Sequence, residues 1–319
     1  MPSSPSLTAL LAVVVVALVA GGAIVGYLYF RALPAGPTAP LAVALDDNVT
    51  VNYIGILGSG ADIGHVFDTS IYSVATDSVS YPKSLEFQLR GSAANYTPLA
   101  VHVGTDTPSG GYSLGGQSFV QVVTGFWQGL VGLEGNQTRT LVLPPSLAYG
   151  PLNPACTVTK NLTYTLPMLV TVPLSTFVST YGNVAAQTGT EFLDPLYGWP
   201  DYILSVNATS ATVESLPSVG ATAQPYGWTV IVRSVDPTAN GTGAITLENE
   251  LTPADSGLVL GHVVPGTGLC SGSSNGRFIV SAVDLGNGTF TENYNSEVQG
   301  QTLLFIVTVV DIYVPVATA

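Results

Sequence analysis

Basic residues are the scarcest chemistry in this chain: Lys and Arg together number 7 against 20 Asp and Glu, and charged side chains make up only 8% of 319 residues. No basic face able to neutralise a run of phosphates can be assembled from so few, which excludes nucleic acid as a partner. Three histidines, His65, His102 and His262, are too scarce and dispersed to complete a metal site. The only cysteines, Cys156 and Cys270, are too far apart for a CxxC redox or zinc motif. There is no G-x-S-x-G turn and no evident Ser/His/Asp set, so a hydrolase has no support and nothing calls for a cofactor. Gly and Pro are scattered without a period, so the chain is neither collagen-like nor simply low-complexity.

Polarity comes instead from Thr, Ser, Gly and Asn, as in many surface-exposed β-rich proteins. The length predicts two domains beyond any targeting segment, at roughly 150 residues each. Residues 7–30 form an uncharged, mostly apolar run, long enough at about 1.5 Å per residue to cross a hydrocarbon core of about 30 Å. Residues 1–31 therefore read as a transmembrane anchor, with Tyr27, Tyr29, Phe30 and Arg31 at one interface. The alternative is a cleaved signal peptide, for which Gly21-Gly22-Ala23 supplies small residues. Residues 32–45 follow as a Pro/Gly linker.

Arg31 weakly favours a cytoplasmic bulk, but long domains translocate largely regardless of charge. Asn-x-Ser/Thr sequons occur at Asn48, Asn95, Asn136, Asn161, Asn207, Asn240 and Asn287, where chance would supply about three. The excess favours an extracytoplasmic bulk on a single-pass membrane protein, although a Thr-rich β protein also accumulates such triplets. In an oxidising exterior Cys156 and Cys270 can close one long loop as a disulfide; the other reading is two independent buried thiols.

The chain is organised around residues 125–150, GFWQGLVGLEGNQTRTLVLPPSLAYG. Phe126, Leu130 and Leu133 at i, i+4 and i+7 predict an amphipathic helical turn; residues 138–143 are β-prone, and Pro144-Pro145 stops them. In order stand Val122-Val123, Gly125-Phe126, Gly129-Leu130, Gly132-Leu133, Gly135, the β-prone run and Ala148-Tyr149-Gly150. This spacing resembles the heart of the FKBP-type peptidyl-prolyl isomerases. Residues 48–56, with Val49, Val51 and Tyr53 alternating, and Phe67-Asp68-Thr69-Ser70 resemble that family's V-x-Y-x-G strand and its F-D-x-S. Residues 98–104 resemble its pocket-wall strand, with Leu99 where aromatics are usual, and residues 300–312 its closing strand, with Phe305 as the pocket aromatic. Residues 71–90 and 105–117 look like insertions relative to the family.

The resemblance implies an α+β fold: an FKBP-like antiparallel β-sheet wrapped around a short α-helix, with a large β-rich domain inserted in the flap and one transmembrane helix before it. It divides the chain into an isomerase domain at 46–150 and 300–315 and a flap insert at 151–299. Asn295 in the approach to Gly300-Gln301-Thr302-Leu303 is similar to the SlyD-like, insert-in-flap branch, with Ser296 and Gln299 departing from its usual His and Ala. The resemblance implies catalytic roles for Tyr53, Phe67, Asp68 and Tyr149, and substrate contacts from Leu99, Val122, Val123, Phe126 and Phe305. Phe126 stands where a Trp is common, and adjacent Trp127 takes that role if the helix register differs by one. The implied partners are proline-containing unfolded or extended polypeptides. The rival expectation is a catalytically silent scaffold that binds partners through the insert.

The insert repeats itself. Residues 198–219, 227–249 and 276–295 each run from Gly through an apolar strand to an Asn-containing turn and a Thr-rich strand. Residues 231–236 and 279–284 are the clearest pair, each followed by Asn-Gly-Thr. Either duplication or convergence of simple hairpins accounts for the pattern.

Overall fold

The computed structural model describes residues 41–105, 112–114, 116–262 and 277–313. The described residues from 42 onward form one compact unit, to which all the elements below belong. The expected span at 7–30 and the first part of the linker lie outside the described residues. Among the described residues no helix is long and apolar enough to cross a membrane.

In chain order the first elements are β1 (Asn48–Leu57), β2 (Val66–Thr69), α1 (Tyr72–Thr76), β3 (Leu99–His102), β4 (Tyr112–Leu114), β5 (Gln117–Phe119), α2 (Thr124–Leu130) and β6 (Thr138–Leu143). A run of three strands follows: β7 (Thr157–Asn161), β8 (Thr163–Pro167) and β9 (Leu169–Pro173). Then come α3 (Leu174–Tyr181), β10 (Glu191–Leu193), β11 (Pro200–Val206), β12 (Ser210–Ser215), β13 (Thr222–Ala223), β14 (Val230–Asp236) and β15 (Ala244–Asn249). The series ends with β16 (Leu260–His262), β17 (Arg277–Asp284), β18 (Thr289–Asn293) and β19 (Leu303–Tyr313).

The first sheet has the order β2-β1-β19-β6, with β3 also paired to β1. β19 alternates buried with partly buried residues, as a half-covered strand should, whereas β1 is buried on both faces. Val49, Val51 and Tyr53 of β1 and Leu303, Phe305, Val307 and Val309 of β19 share a core with Leu141 and Leu143 of β6. Phe126 and Leu130 of α2 enter the same core. Two glycines bring α2 close to β6. A Cβ on Gly125 would lie 2.7 Å from Leu143 Cγ, and one on Gly129 2.5 Å from a Leu141 methyl, so the i, i+4 glycine edge is what the close approach requires.

Beside a two-stranded sheet of β4 and β5, three four-stranded sheets follow among the described residues, ordered β10-β11-β12-β9, β13-β14-β15-β8 and β16-β17-β18-β7. Each is a hairpin flanked by a short strand on one side and, on the other, by one member of the β7-β8-β9 run. That run is a strap across all three. Its corners are single buried residues, Leu162 and Met168. Leu162 donates its N–H to Gly288 O of one hairpin and accepts from Asn249 N of the next. Met168 likewise donates to Gly243 O and accepts from Ser215 N. The three hairpins break register at matching points, between Ile203 and Ser205, Val232 and Ser234, and Val280 and Ala282. A shared bulge and a shared strap position exceed what generic hairpins have in common, and favour a threefold repeat.

These observations correct the expected fold class. Strand accounts for 42% and helix for 14% of the described residues, so the molecule is mostly antiparallel β-sheet rather than a sheet wrapped around a helix. The seven-residue α2 lies along β6 and does not organise the whole. The physical reason is compositional: Thr- and Val-rich alternation continues through the hairpins, while frequent Gly and Pro keep α3, the longest described helix, to eight residues.

One core position in the repeat carries a charge. Asp201 in β11 occupies the place of Val230 in β14 and Phe278 in β17, and is only 1% exposed. Its two carboxylate oxygens, like the nearby Trp199 indole N–H, meet no partner at full hydrogen-bond geometry among the described residues, and Ser215 and Trp199 approach it only loosely. Burial, reinforced by the nearby Asp194 carboxylate and opposed by Ser215 and Trp199, pushes its pKa from 3.8 to about 6. After burial, the Asp201 carboxylate helps to raise the Tyr181 phenol. The displacement of Asp201 corresponds to roughly 3 kcal/mol favouring the neutral form in the folded state. Its stabilisation is complete below the unfolded value and is lost as pH rises through about 6. Glu292 and Glu297 are displaced upward too, chiefly by burial. Melting temperature should therefore fall as pH rises from about 4 to about 7, and Asp201→Asn should flatten that profile. An unchanged profile in the variant would refute the assignment.

Candidate functional site

The sequence-predicted site residues reach one place from separate elements. Tyr53 comes from β1, Phe67 and Asp68 from β2, Leu99 from β3, Phe126 from α2 and Phe305 from β19, while Val122-Val123 precede α2 and Tyr149 follows β6. All nine line a single cavity of about 640 Å³. Trp127 is not among its lining residues; it packs, half-buried, against the core.

Four aromatic rings form the apolar side. Phe126 meets Phe305 edge-on at 5.0 Å and Tyr53 at 6.2 Å, and Phe67 meets Phe305 edge-on at 5.5 Å. Edge-to-face packing of this kind fixes ring orientation as well as burying area. Gly55 lies opposite both Asp68 and Phe305 in the register. A Cβ there would come within 2.6 Å of the tip of the Phe67 ring, so the bare backbone is the floor on which that ring lies.

The polar side is bonded as tightly. The Tyr53 hydroxyl donates to Asp68 Oδ2 at 2.5 Å, and Asp68 Oδ1 accepts from the Thr69 N–H and from the Arg90 guanidinium. Arg90 also donates to the Tyr53 hydroxyl at 3.1 Å, and its guanidinium lies 5.7 Å from the centre of the Tyr96 ring. The next two residues clamp β2 to β1: Ser70 Oγ accepts the Tyr53 N–H at 2.9 Å, and Thr69 Oγ1 donates to the Tyr53 carbonyl at 2.7 Å. A Phe-Asp-Thr-Ser run thus supplies a wall, a carboxylate and two fasteners.

Titration follows from this wiring. Burial, then the Asp68 charge, holds the Tyr53 phenol well above its ordinary value. Tyr149, at the open side, is raised by partial burial and then by Asp68, which keeps it a protonated donor. Burial alone would lower Arg90, but its bonds to Tyr53 and its pairing with Asp68 more than offset this. Arg90 stays cationic.

Arg90 was missed by sequence reasoning, because residues 71–90 look like an insertion. Its scarcity was the available signal, as one of seven basic residues in the chain. Thr97, just before β3, and Gln117, Ser118 and Gln121, in and just after β5, add a polar rim. Elsewhere, Cys156 is buried and disulfide-bonded; Cys270, its expected partner, lies outside the described residues. Among the described residues no group of three or more His, Cys, Asp or Glu is placed to hold a metal ion. No protein-family model matches the chain, and no curated protein matches it.

The Gly55–Phe67 contact generates a prediction. Gly55→Ala should overpack the wall and cost about 1–3 kcal/mol. In urea the midpoint should fall with an unchanged slope. Adding Phe67→Leu should recover part of the loss; purely additive effects would show that the two residues are not coupled.

Proposed function

We propose that this cavity is the active site of a peptidyl-prolyl cis-trans isomerase acting on proline-containing, unfolded or extended polypeptides. The observation that carries the reading is the convergence of four aromatic rings with a bonded Tyr53–Asp68–Arg90 set and a half-exposed Tyr149 hydroxyl. Rotation about a peptide bond faces a barrier of about 18–20 kcal/mol from amide resonance, and X-Pro bonds populate both isomers. The reaction breaks no covalent bond, so no nucleophile or cofactor is required. An apolar cleft that accepts the proline ring excludes water and favours the twisted, less polar amide over the planar one.

The residues divide that work. Phe67, Phe126 and Phe305 hold the ring, with Leu99, Val122 and Val123 closing the sides. Tyr149 donates to a substrate carbonyl. Asp68 has both oxygens engaged within the protein, so its role is to orient Tyr53 and the wall rather than to meet the substrate directly. An extracytoplasmic setting, with membrane attachment through residues 7–30, accords with the bonded Cys156 and the sequon excess.

One observation favours a second reading. Arg90 satisfies the polar side of the pocket internally, as suits a scaffold that binds without catalysing, and the three repeated sheets would then be the binding part. A protease-coupled isomerisation assay on residues 42–319 separates the two. Wild type should accelerate X-Pro isomerisation. Tyr149→Phe should lower kcat/KM about tenfold, the worth of one hydrogen bond, without loss of folded signal. Asp68→Leu should lower it further. A folded wild type that leaves the uncatalysed rate unchanged would overturn the isomerase reading.

A further inference from the structure

Three of the seven sequons occupy equivalent places in the fold. Asn207 lies between β11 and β12, Asn240 between β14 and β15, and Asn287 between β17 and β18, so each repeated hairpin carries one at its turn. All three asparagines are exposed. Asn48 is the opposite case. It lies in β1, is 1% exposed, and its Oδ1 meets His102 Nδ1 of β3 at 2.9 Å; Thr50, which completes its triplet, is 4% exposed.

Turn chemistry explains the asparagines but not the whole triplets. Asn240 adopts φ 52°, a conformation Asn tolerates. Asn207 Oδ1 accepts the Thr209 and Ser210 N–H groups, which leaves that turn's bonding on the oxygen rather than on Nδ2; at Asn287 the Nδ2 donates to the exposed Asp284 Oδ2 at 2.6 Å, a bond that transfer to this asparagine has to break. A turn does not require Thr two positions later: the Thr209 hydroxyl only adds a 3.1 Å bond to the Asn207 Oδ1 that its own N–H already reaches, and the Thr242 hydroxyl gains only a 3.4 Å contact with Gly243 O. Two independent features point to a glycan. Cys156 is disulfide-bonded, which belongs to an oxidising exterior. Only 8% of residues are charged, so three sheets with open edges have little else to keep them apart.

We infer that Asn207, Asn240 and Asn287 are attachment sites for N-linked oligosaccharide, and that Asn48 is excluded by its place in the core sheet. The donor is a lipid-linked oligosaccharide. Asn Nδ2 bonds to the anomeric carbon, the carbon–oxygen bond to the lipid phosphate breaks, the phosphate leaves with the electron pair, and the amide releases one proton. A sugar on Asn48 would prevent β1 from pairing with β3, so transfer must follow the seating of β1. Bulky, hydrated groups at the hairpin turns then block edge-to-edge association, and they do so independently of pH.

The test uses the full chain recovered from the exterior of a cell whose other surface proteins carry N-glycans. Enzymatic release in heavy-oxygen water converts each occupied Asn to labelled Asp, read by peptide mass mapping. Label is expected at positions 207, 240 and 287 and not at 48. Thr209→Val, Thr242→Val and Thr289→Val should each remove one glycan mass while leaving the turn asparagine in place. Unlabelled asparagines at the three turns, or label at Asn48 in protein that melts as a folded species, would overturn the inference.

Discussion

The antiparallel pairing of β1 with β19 is the constraint on which the structure depends. It joins the first long strand to the last, and each contributes a ring to the cavity: Tyr53 from β1 and Phe305 from β19, 6.3 Å apart. The remaining walls hang from these two strands. β2 and β3 pair with β1, and β6 pairs with β19, carrying α2 against it. The pocket is therefore a property of the closed sheet rather than of any local segment. A slip of either strand by one residue would turn its own lining ring to the other face.

The pocket residues were largely legible in the sequence because each sits in a short run whose neighbours have a mechanical task. Gly125 and Gly129 are the edge on which α2 meets β6. Thr69 and Ser70 bond the backbone of Tyr53. Gly55 makes room for Phe67. Spacing of that kind survives in a linear reading because the physical demand is local. Arg90 was not legible for the converse reason: its partners Asp68 and Tyr53 are remote in sequence, and nothing in the intervening loop marks where the guanidinium must land.

The fold class was misjudged because a short, strongly patterned helix weighs more in a motif than in the molecule. The described part of residues 151–299 is built of β-hairpins, but the strap that joins them was invisible in the sequence. In β7, β8 and β9 the Thr-rich alternation resembles any edge strand, and only the corner bonds of Leu162 and Met168 show that consecutive strands serve different sheets. Asp201 was equally hidden, since an acidic residue beside Trp199 and Pro200 looks like part of a turn. Its burial follows from sharing a face with Ile203, two residues on and ahead of the bulge.

The strap meets the hairpins in reverse. β9 joins the first hairpin, β8 the second and β7 the third, and β1 and β6 then receive β19. The pairings are nested like brackets, the innermost involving the shortest stretch of chain. As the chain leaves the ribosome, each new hairpin finds its strand already displayed, and each closure spans a segment that has condensed beforehand. The entropic cost of long loops is met in small steps rather than all at once. The outermost bracket is the one that supplies Phe305, so a nascent chain folding in this order has no complete aromatic cleft until nearly all of it has been made.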